Sequence, residues 1–521
     1  MKSSEYNNVK EKIFKIQKLA LKVRKIKIMA AGNIVVLNST FAFQNGIYAD
    51  YRIKLENPKK KKNLIAIVDL TNEMLKAGEI GLFENVAKSL EVEDGQTIYA
   101  QLVLRPQTLS FIKEKIEGKS LSAEKIDQII KDAVENRLSD AELASFMTAC
   151  YINGMSDEEI IGLTNTIVRS GQTLKLNVKP VVDKHCIGGV AGNRTTMLIV
   201  PIVAAAGCYI PKTSSRAITS AAGTADTMEV LANVSLEIEE IEKQTRSIGG
   251  CIVWGGAINL AAADDKLIKI RNPLSLDPKG VLLASILAKK KAVGAKYCII
   301  DIPVGRGVKI EDAAEAKQLA SDFINIGRKL GIEIEALITN GEDPIGNGIG
   351  PALECKDVLE VLEGKGPHDL REKSLIMAGK LLELAGKVKK GQGVELAAKI
   401  LDSKKALKKF QEIVEWQGGK KNVSSKDISF GKYKHTVYSS KTGRVSHLDN
   451  KLLARVARAA GAPADKEAGI YLYCEKGDMI TKGQPIMEIY SNSEAKLSVA
   501  IKVLEEYGPV ELEKVLLDSI R

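Results

Sequence analysis

The sequence predicts a multidomain α/β protein: a β-rich N-terminal domain, a helical domain, a large mostly parallel α/β domain and an α+β C-terminal domain. Three observations carry this. At 521 residues the chain is too long for one hydrophobic core. At Arg105-Pro106 the pattern turns from short strands to helices, because the residue before a proline is pushed towards extended geometry. From Pro180 onward apolar strands alternate with Gly-rich loops and helices, which implies a parallel sheet with ligands at the strand ends.

In chain order, residues 1–25 form a basic extension. Across residues 8–28, Ile13, Ile16, Leu19 and Leu21 sit near helical spacing, which predicts a surface helix; the frequent lysines favour an extension or partner helix over a membrane-surface one. Residues 26–104 read as the strands IKIM, NIVVL, ADYRIKL, NLIAIVDL and QTIYAQLVL. Over residues 105–175, Ser139 with Glu142 and Ser156 with Glu159 form capping boxes, and Gly154 and Gly171 stand where helices end. Residues 176–420 carry the α/β pattern. After the loop-like Gln417–Lys421, residues 427–521 form the C-terminal domain. Its KGDMITKGQPIMEIYS resembles a lipoyl-like hairpin but lacks the methionine-flanked lysine of a swinging cofactor, so it reads as structural.

Composition narrows the function. With 45% hydrophobic and 27% charged residues the chain is an ordinary globular protein, and no apolar run reaches the roughly 18 residues of a membrane span. A net charge of +11 suits either RNA or small anions. Aromatics are only 5%, no basic run is interleaved with them, and Lys59–Lys62 reads as a solvated turn, which argues against nucleic acid. Seven cysteines without a CxxC spacing indicate neither a disulfide framework nor a zinc site, and a reducing cytoplasm fits best. Four scattered histidines, at 185, 368, 435 and 447, suggest no metal cluster.

The chemistry concentrates between Asp183 and Val230. In DKHCIGGVAGNRTT, Gly188, Gly189 and Gly192 let the backbone approach a ligand, Lys184 and Arg194 supply positive charge, and Asn193–Thr196 open an apolar helix whose dipole favours an anion. In SSRAITSAAGT, Ser214, Ser215, Thr219, Ser220 and Thr224 offer hydroxyls beside Arg216. Both loops read as phosphate cradles.

These residues resemble the thymidine phosphorylase group of nucleoside phosphorylases, whose loop reads D-K-H-S-T-G-G-V, and within it the archaeal AMP phosphorylases; the likeness runs from about residue 30 to the C-terminus. The resemblance implies phosphorolysis of nucleoside 5′-monophosphates (AMP, also CMP and UMP) to a free base and ribose 1,5-bisphosphate, with phosphate as co-substrate and no cofactor. It implies a homodimer or larger homo-oligomer, and a return of about residues 262–291 to the helical domain. Carried over residue by residue, it assigns phosphate to Lys184 and Gly188. Nucleotide contacts fall on Gly189, Ser215, Arg216, Ala217, Ile218, Thr219, Ser220, Thr224, Ser285 and Lys309. Cys186 stands where the group has serine, so that contact is open. The proton donor to the leaving base is assigned to Asp277; His185, and Asp264 beside Asp265, are rivals, the paired acids reading as helix caps and solvated charges. The cluster Asn340–Glu354 reads as a tight structural turn. A pyrimidine-nucleoside phosphorylase and a non-catalytic nucleic-acid-binding relative are the alternatives.

Overall fold

The computed structural model describes residues 18–30, 32–217, 220–256, 262–271 and 273–513. They divide into two compact units, one from Met1–Gly171 and Ala261–Ser285, the other from Gln172–Leu260 and Ile286–Arg521.

Alternation rather than helical spacing governs the first described segment. Lys18–Ile26 is strand β1, with Leu21 and Val23 fully buried between exposed Lys22 and Arg24. The helix expected over residues 8–28 is therefore corrected in its second half. Residues two apart share a face in a strand but lie on opposite sides of a helix, and only the strand buries both apolar chains. The basic extension accordingly ends before Lys18, and residues 1–17 lie outside the described residues. β1 closes a six-stranded barrel with β2 (Ile34–Asn38), β3 (Arg52–Asn57), β4 (Lys62–Thr71), β5 (Glu79–Phe83) and β6 (Thr97–Val103), in the order β1-β5-β2-β4-β3-β6. The IKIM segment does not continue as a strand, and Ile28 and Met29 are exposed. β5 escapes the sequence pattern because Gly81 interrupts it; a Cβ there would press on Ile26 and Leu75.

In the same unit the helices Thr108–Ile116, Ala123–Val134, Asp140–Asn153 and Asp157–Ser170 form a bundle, and both capping boxes are made. Glu159 closes one box and also holds the buried Lys115 ammonium at 2.7 Å and the Leu121 N–H at 2.9 Å. The Arg52 guanidinium joins barrel to bundle by donating to the Arg137 carbonyl and pairing with Glu142. The returning helix Ala262–Arg271 packs here, with the Lys266 ammonium on the Asn136 side-chain oxygen at 2.7 Å.

The second unit is built on parallel strands. β7 (Val182–Cys186), β10 (Tyr297–Val304) and β11 (Glu333–Asn340) form one sheet, β8 (Ile210–Ser214) and β9 (Gly250–Trp254) another, and a Val181–Tyr209 bridge joins β7 to β8. The helix Thr195–Ala205 is buried along nearly its whole length and forms the centre of the largest core. The loop expected at Gln417–Lys421 follows the helix Lys405–Trp416, and within it Gln417 is 2% exposed and binds both the N–H and the carbonyl of Ile252.

The C-terminal domain has two sheets: β12-β15-β17-β13 and β16-β14-β18. Their strands are β12 (Gly348–Ile349), β13 (Tyr433–Tyr438), β14 (Gly443–Leu448), β15 (Gly469–Leu472), β16 (Met479–Ile480), β17 (Pro485–Ser491) and β18 (Val510–Leu512). β12 comes from the Asn340–Glu354 cluster, which is thus more than a turn: it lends the C-terminal sheet an edge strand.

Asp357, on the helix Pro351–Leu362, holds this cluster by accepting the Asn347 and Gly348 N–H groups, each at 2.7 Å. Burial pushes its carboxyl up to about 7, against the pull of those bonds. Between the unfolded value of 3.8 and about 7 the native state takes up a proton that the unfolded chain does not, so this group makes stability fall as pH rises through that window. Asp357→Asn keeps an acceptor for both N–H groups and removes the charge. It should raise Tm relative to the parent at pH 8 but much less at pH 4, and an equal shift at both pH values in a thermal melt would disprove the account.

Candidate functional site

Strand β7 delivers the first loop. Asp183 is fully buried and accepts the Lys290 ammonium at 2.6 Å, with Lys212 at 3.5 Å. Burial alone would raise its carboxyl, but the two ammonium groups hold it below the usual range. Burial pushes the Lys212 ammonium down to about 7. Lys184 is different: both hydrogen-bond acceptors of its ammonium are neutral hydroxyls, Thr195 at 3.0 Å and Thr196 at 3.5 Å, and burial pushes it below the usual lysine range. A buried cation thus stands at the start of the helix Thr195–Ala205, where the helix dipole favours negative charge.

The glycines shape the approach. Gly188, at φ +96°, has nothing within 4 Å of where a side chain would start. Gly189, at φ +107°, lies flush against the next loop, so that a Cβ would stand 2.8 Å from Val308 Cα and 2.9 Å from the Lys309 nitrogen. The fold thus brings Gly189 and Lys309 together from positions far apart in sequence. Burial pushes the Cys186 thiol up to about 11, so it remains a neutral thiol, accepting from Asn193 at 3.5 Å. Burial and then the charges of Lys290, Lys212, Lys289 and Lys184 drive His185 well below its ordinary value, which favours the neutral imidazole.

The second loop follows β8 and is organised by Asp226, whose carboxylate accepts the Ala217 N–H at 2.7 Å and the Gly223 N–H at 2.9 Å. Gly223 is obligatory, since a Cβ would meet the Ser215 carbonyl at 2.5 Å. Ser215 and Ser220 are exposed, Ser220 donating to the Ala222 carbonyl at 3.0 Å, and Thr224 is buried at the base of the loop. Ile218 and Thr219 lie outside the described residues.

Both arginines are engaged by carboxylates of the protein. The Arg216 guanidinium pairs with Glu229 at 2.5 Å and Asp226 at 3.2 Å and stacks on Trp254, 4.7 Å from the ring centre. Arg194 pairs with buried Glu354 and donates to the Ala222 carbonyl at 2.6 Å and the Asn193 carbonyl at 3.0 Å. Arg216 is engaged by neighbours 10 and 13 residues on, Arg194 by Glu354, 160 residues on and outside the motif.

The remaining candidates belong to the first unit. Asp277 has its side chain 46% exposed and accepts from Arg271 at 2.5 Å. Ser285 is 2% exposed and donates to Asp264 at 2.8 Å. Asp264 is fully buried, which corrects its reading as a solvated cap; only Asp265 faces solvent. Sequence reasoning missed Lys212, Lys290, Asp226 and Glu354. For Lys290 a signal existed, since it adjoins Lys289 on a helix otherwise apolar on that side.

Residues 109–171 match the helical bundle domain of the glycosyl transferase family, residues 178–407 its a/b domain, and residues 444–510 the pyrimidine nucleoside phosphorylase C-terminal domain. The chain is 44% identical to the AMP phosphorylase of Methanococcoides burtonii over 96% of this chain and 99% of the relative. It is 43% identical to that of Pyrococcus furiosus over 95% and 99%, respectively. Among solved structures, anthranilate phosphoribosyltransferase from Thermus thermophilus superposes with a TM-score of 0.51 at 19% identity, covering 59% of this chain and 99% of that one, a likeness of fold alone.

Removing one partner of a buried ion pair leaves the other charge uncompensated. Glu354→Gln should therefore cost about 3–5 kcal/mol in chemical denaturation. A loss below about 1 kcal/mol would mean that Arg194 finds another partner.

Proposed function

The chain belongs to the AMP phosphorylase family, and on that premise we propose that it cleaves the N-glycosidic bond of AMP with inorganic phosphate, giving adenine and ribose 1,5-bisphosphate. The observation that carries the reading is the buried Lys184 ammonium, held by hydroxyls at a helix start beside the open face of Gly188. Phosphate attacks the anomeric carbon as the base leaves through an oxocarbenium-like transition state, so the protein has to hold the nucleophile, fix the sugar and protonate the base. Lys184 and the backbone at Gly188 hold the phosphate; a preformed cation and N–H groups need no reorganisation as charge develops. Gly189, Lys309 and the hydroxyl-bearing loop with Ser215, Ala217, Ser220 and Thr224 take the nucleotide. Arg216 contributes through its backbone, its guanidinium being engaged by carboxylates. Ser285 serves the base end. No cofactor is required. CMP and UMP are further substrates, and the working form is a homodimer or a larger homo-oligomer.

Asp277 is the proposed proton donor, an adenine leaving group departing readily once its imidazole nitrogen is protonated. Asp264, buried against Ser285, and His185 are the rivals.

Two measurements test this. If the second loop serves a 5′-phosphate, base release with phosphate present should be far faster from AMP than from adenosine. Equal turnover would favour a plain nucleoside phosphorylase instead. For the acid, Asp277→Asn should lower kcat by roughly a hundredfold with little change in AMP binding. Near-normal phosphorolysis by that variant, together with its loss in Asp264→Asn or His185→Asn, would move the proton donor elsewhere.

A further inference from the structure

We propose that the C-terminal domain, read from sequence as structural, positions the phosphate loop through the carboxamide of Asn450. This rests on the reading of Lys184 and Gly188 as the phosphate site. Asn450 opens the helix Asn450–Ala460 just after β14 and is 2% exposed. Its whole amide is engaged by backbone from two other loops. Oδ1 accepts the Ala191 N–H at 2.9 Å, and Nδ2 donates to the carbonyls of Gly341 at 3.0 Å and Glu342 at 3.3 Å. Ala191 is gripped from its other side as well, its carbonyl accepting the Ile345 N–H at 3.0 Å. At Gly192 a Cβ would run into the Ile345 carbonyl, so the loop cannot shift towards residues 345–348.

The same turn braces the neighbouring nucleotide loop. His447 meets Asp343 through Nδ1 at 3.1 Å, the Leu448 N–H donates to the same carboxylate oxygen at 2.9 Å, and Arg306 Nε donates to His447 Nε2 at 3.1 Å. Accepting from Arg306 requires a lone pair on Nε2, which puts the imidazole proton on Nδ1, donated to Asp343. Arg306 lies three residues before Lys309. Mere docking of one domain on another needs only apolar contact. A buried amide with every polar atom directed at loop backbone instead fixes the orientation of the Val190–Ala191 peptide and leaves the Gly188 end open. Asn450 is thus a positioning residue for phosphate.

The test uses the full-length enzyme. Asn450→Leu, and the smaller Asn450→Ser should the first fail to fold, are compared with Asp449→Ala, which removes the N-cap of the same helix, a carboxylate that accepts the Lys451 and Leu452 N–H groups rather than the backbone of Ala191. The Asn450 variants should raise KM for phosphate by ~10-fold or more, while KM for AMP stays within about twofold, and should diminish the rise in Tm that inorganic phosphate produces. Asp449→Ala should lower Tm without moving KM for phosphate. A normal phosphate KM in both Asn450 variants, or an equal rise in Asp449→Ala, would overturn the proposal. Absence of adenine release from AMP by the unaltered enzyme would instead overturn the functional reading, and the phosphate-induced Tm shift would still decide the role of Asn450.

Discussion

The two Gly- and hydroxyl-rich loops of the second unit are tied together by one buried ion pair, Arg194 with Glu354. Arg194 immediately precedes the helix that follows the first loop, its guanidinium reaches the Ala222 carbonyl in the second, and Glu354 stands in the first turn of the helix Pro351–Leu362, where it also accepts the Gly350 N–H at 3.1 Å and the Thr227 hydroxyl at 3.2 Å. A planar fork with donors on three sides ties three segments at fixed angles, which no apolar side chain of similar size achieves. The desolvation cost of such a pair makes it a weak source of stability. Its value lies in holding position.

That constraint explains how the positive charge is distributed. The cations most visible in the motifs, Arg194 and Arg216, are neutralised by Glu354, Glu229 and Asp226 and serve as internal struts. Deeper in, Asp183 holds Lys290 and Lys212. The Lys184 ammonium rests instead on the hydroxyls of Thr195 and Thr196 at a helix start. Burial pushes this ammonium below the usual lysine range, although the Asp301 carboxylate favours its charge, whereas Asp183 is held in its charged form by the ammonium groups beside it.

Several parts of this were legible in the residues. The capping boxes at Ser139 and Ser156 depend on neighbours three positions away, and the glycines at 188, 189 and 192 announce backbone that must take φ > 0, so a local reading found both. Other parts were not. Leu19 and Leu21 fit a helical stripe as well as a strand, and only pairing with β5 and β6 selects the strand. The Asn340–Glu354 cluster looks like a turn until β15 pairs with its Gly348 and Ile349. Asp264 looks like a solvated helix cap until Ser285, twenty-one residues on, donates to it in a buried setting.

By itself, then, the sequence determined the class of architecture, the two Gly- and hydroxyl-rich loops and the family to which they belong, because each rests on short-range periodicity or on an ungapped run of residues. Only the tertiary structure decided which carboxylates engage the loop arginines, and that the C-terminal domain reaches the first Gly-rich loop. The reason is physical: a charge is balanced by whatever lies within a few ångströms, and the partners that matter here, Glu354 for Arg194 and Asn450 for Ala191, lie 160 and 259 residues away along the chain.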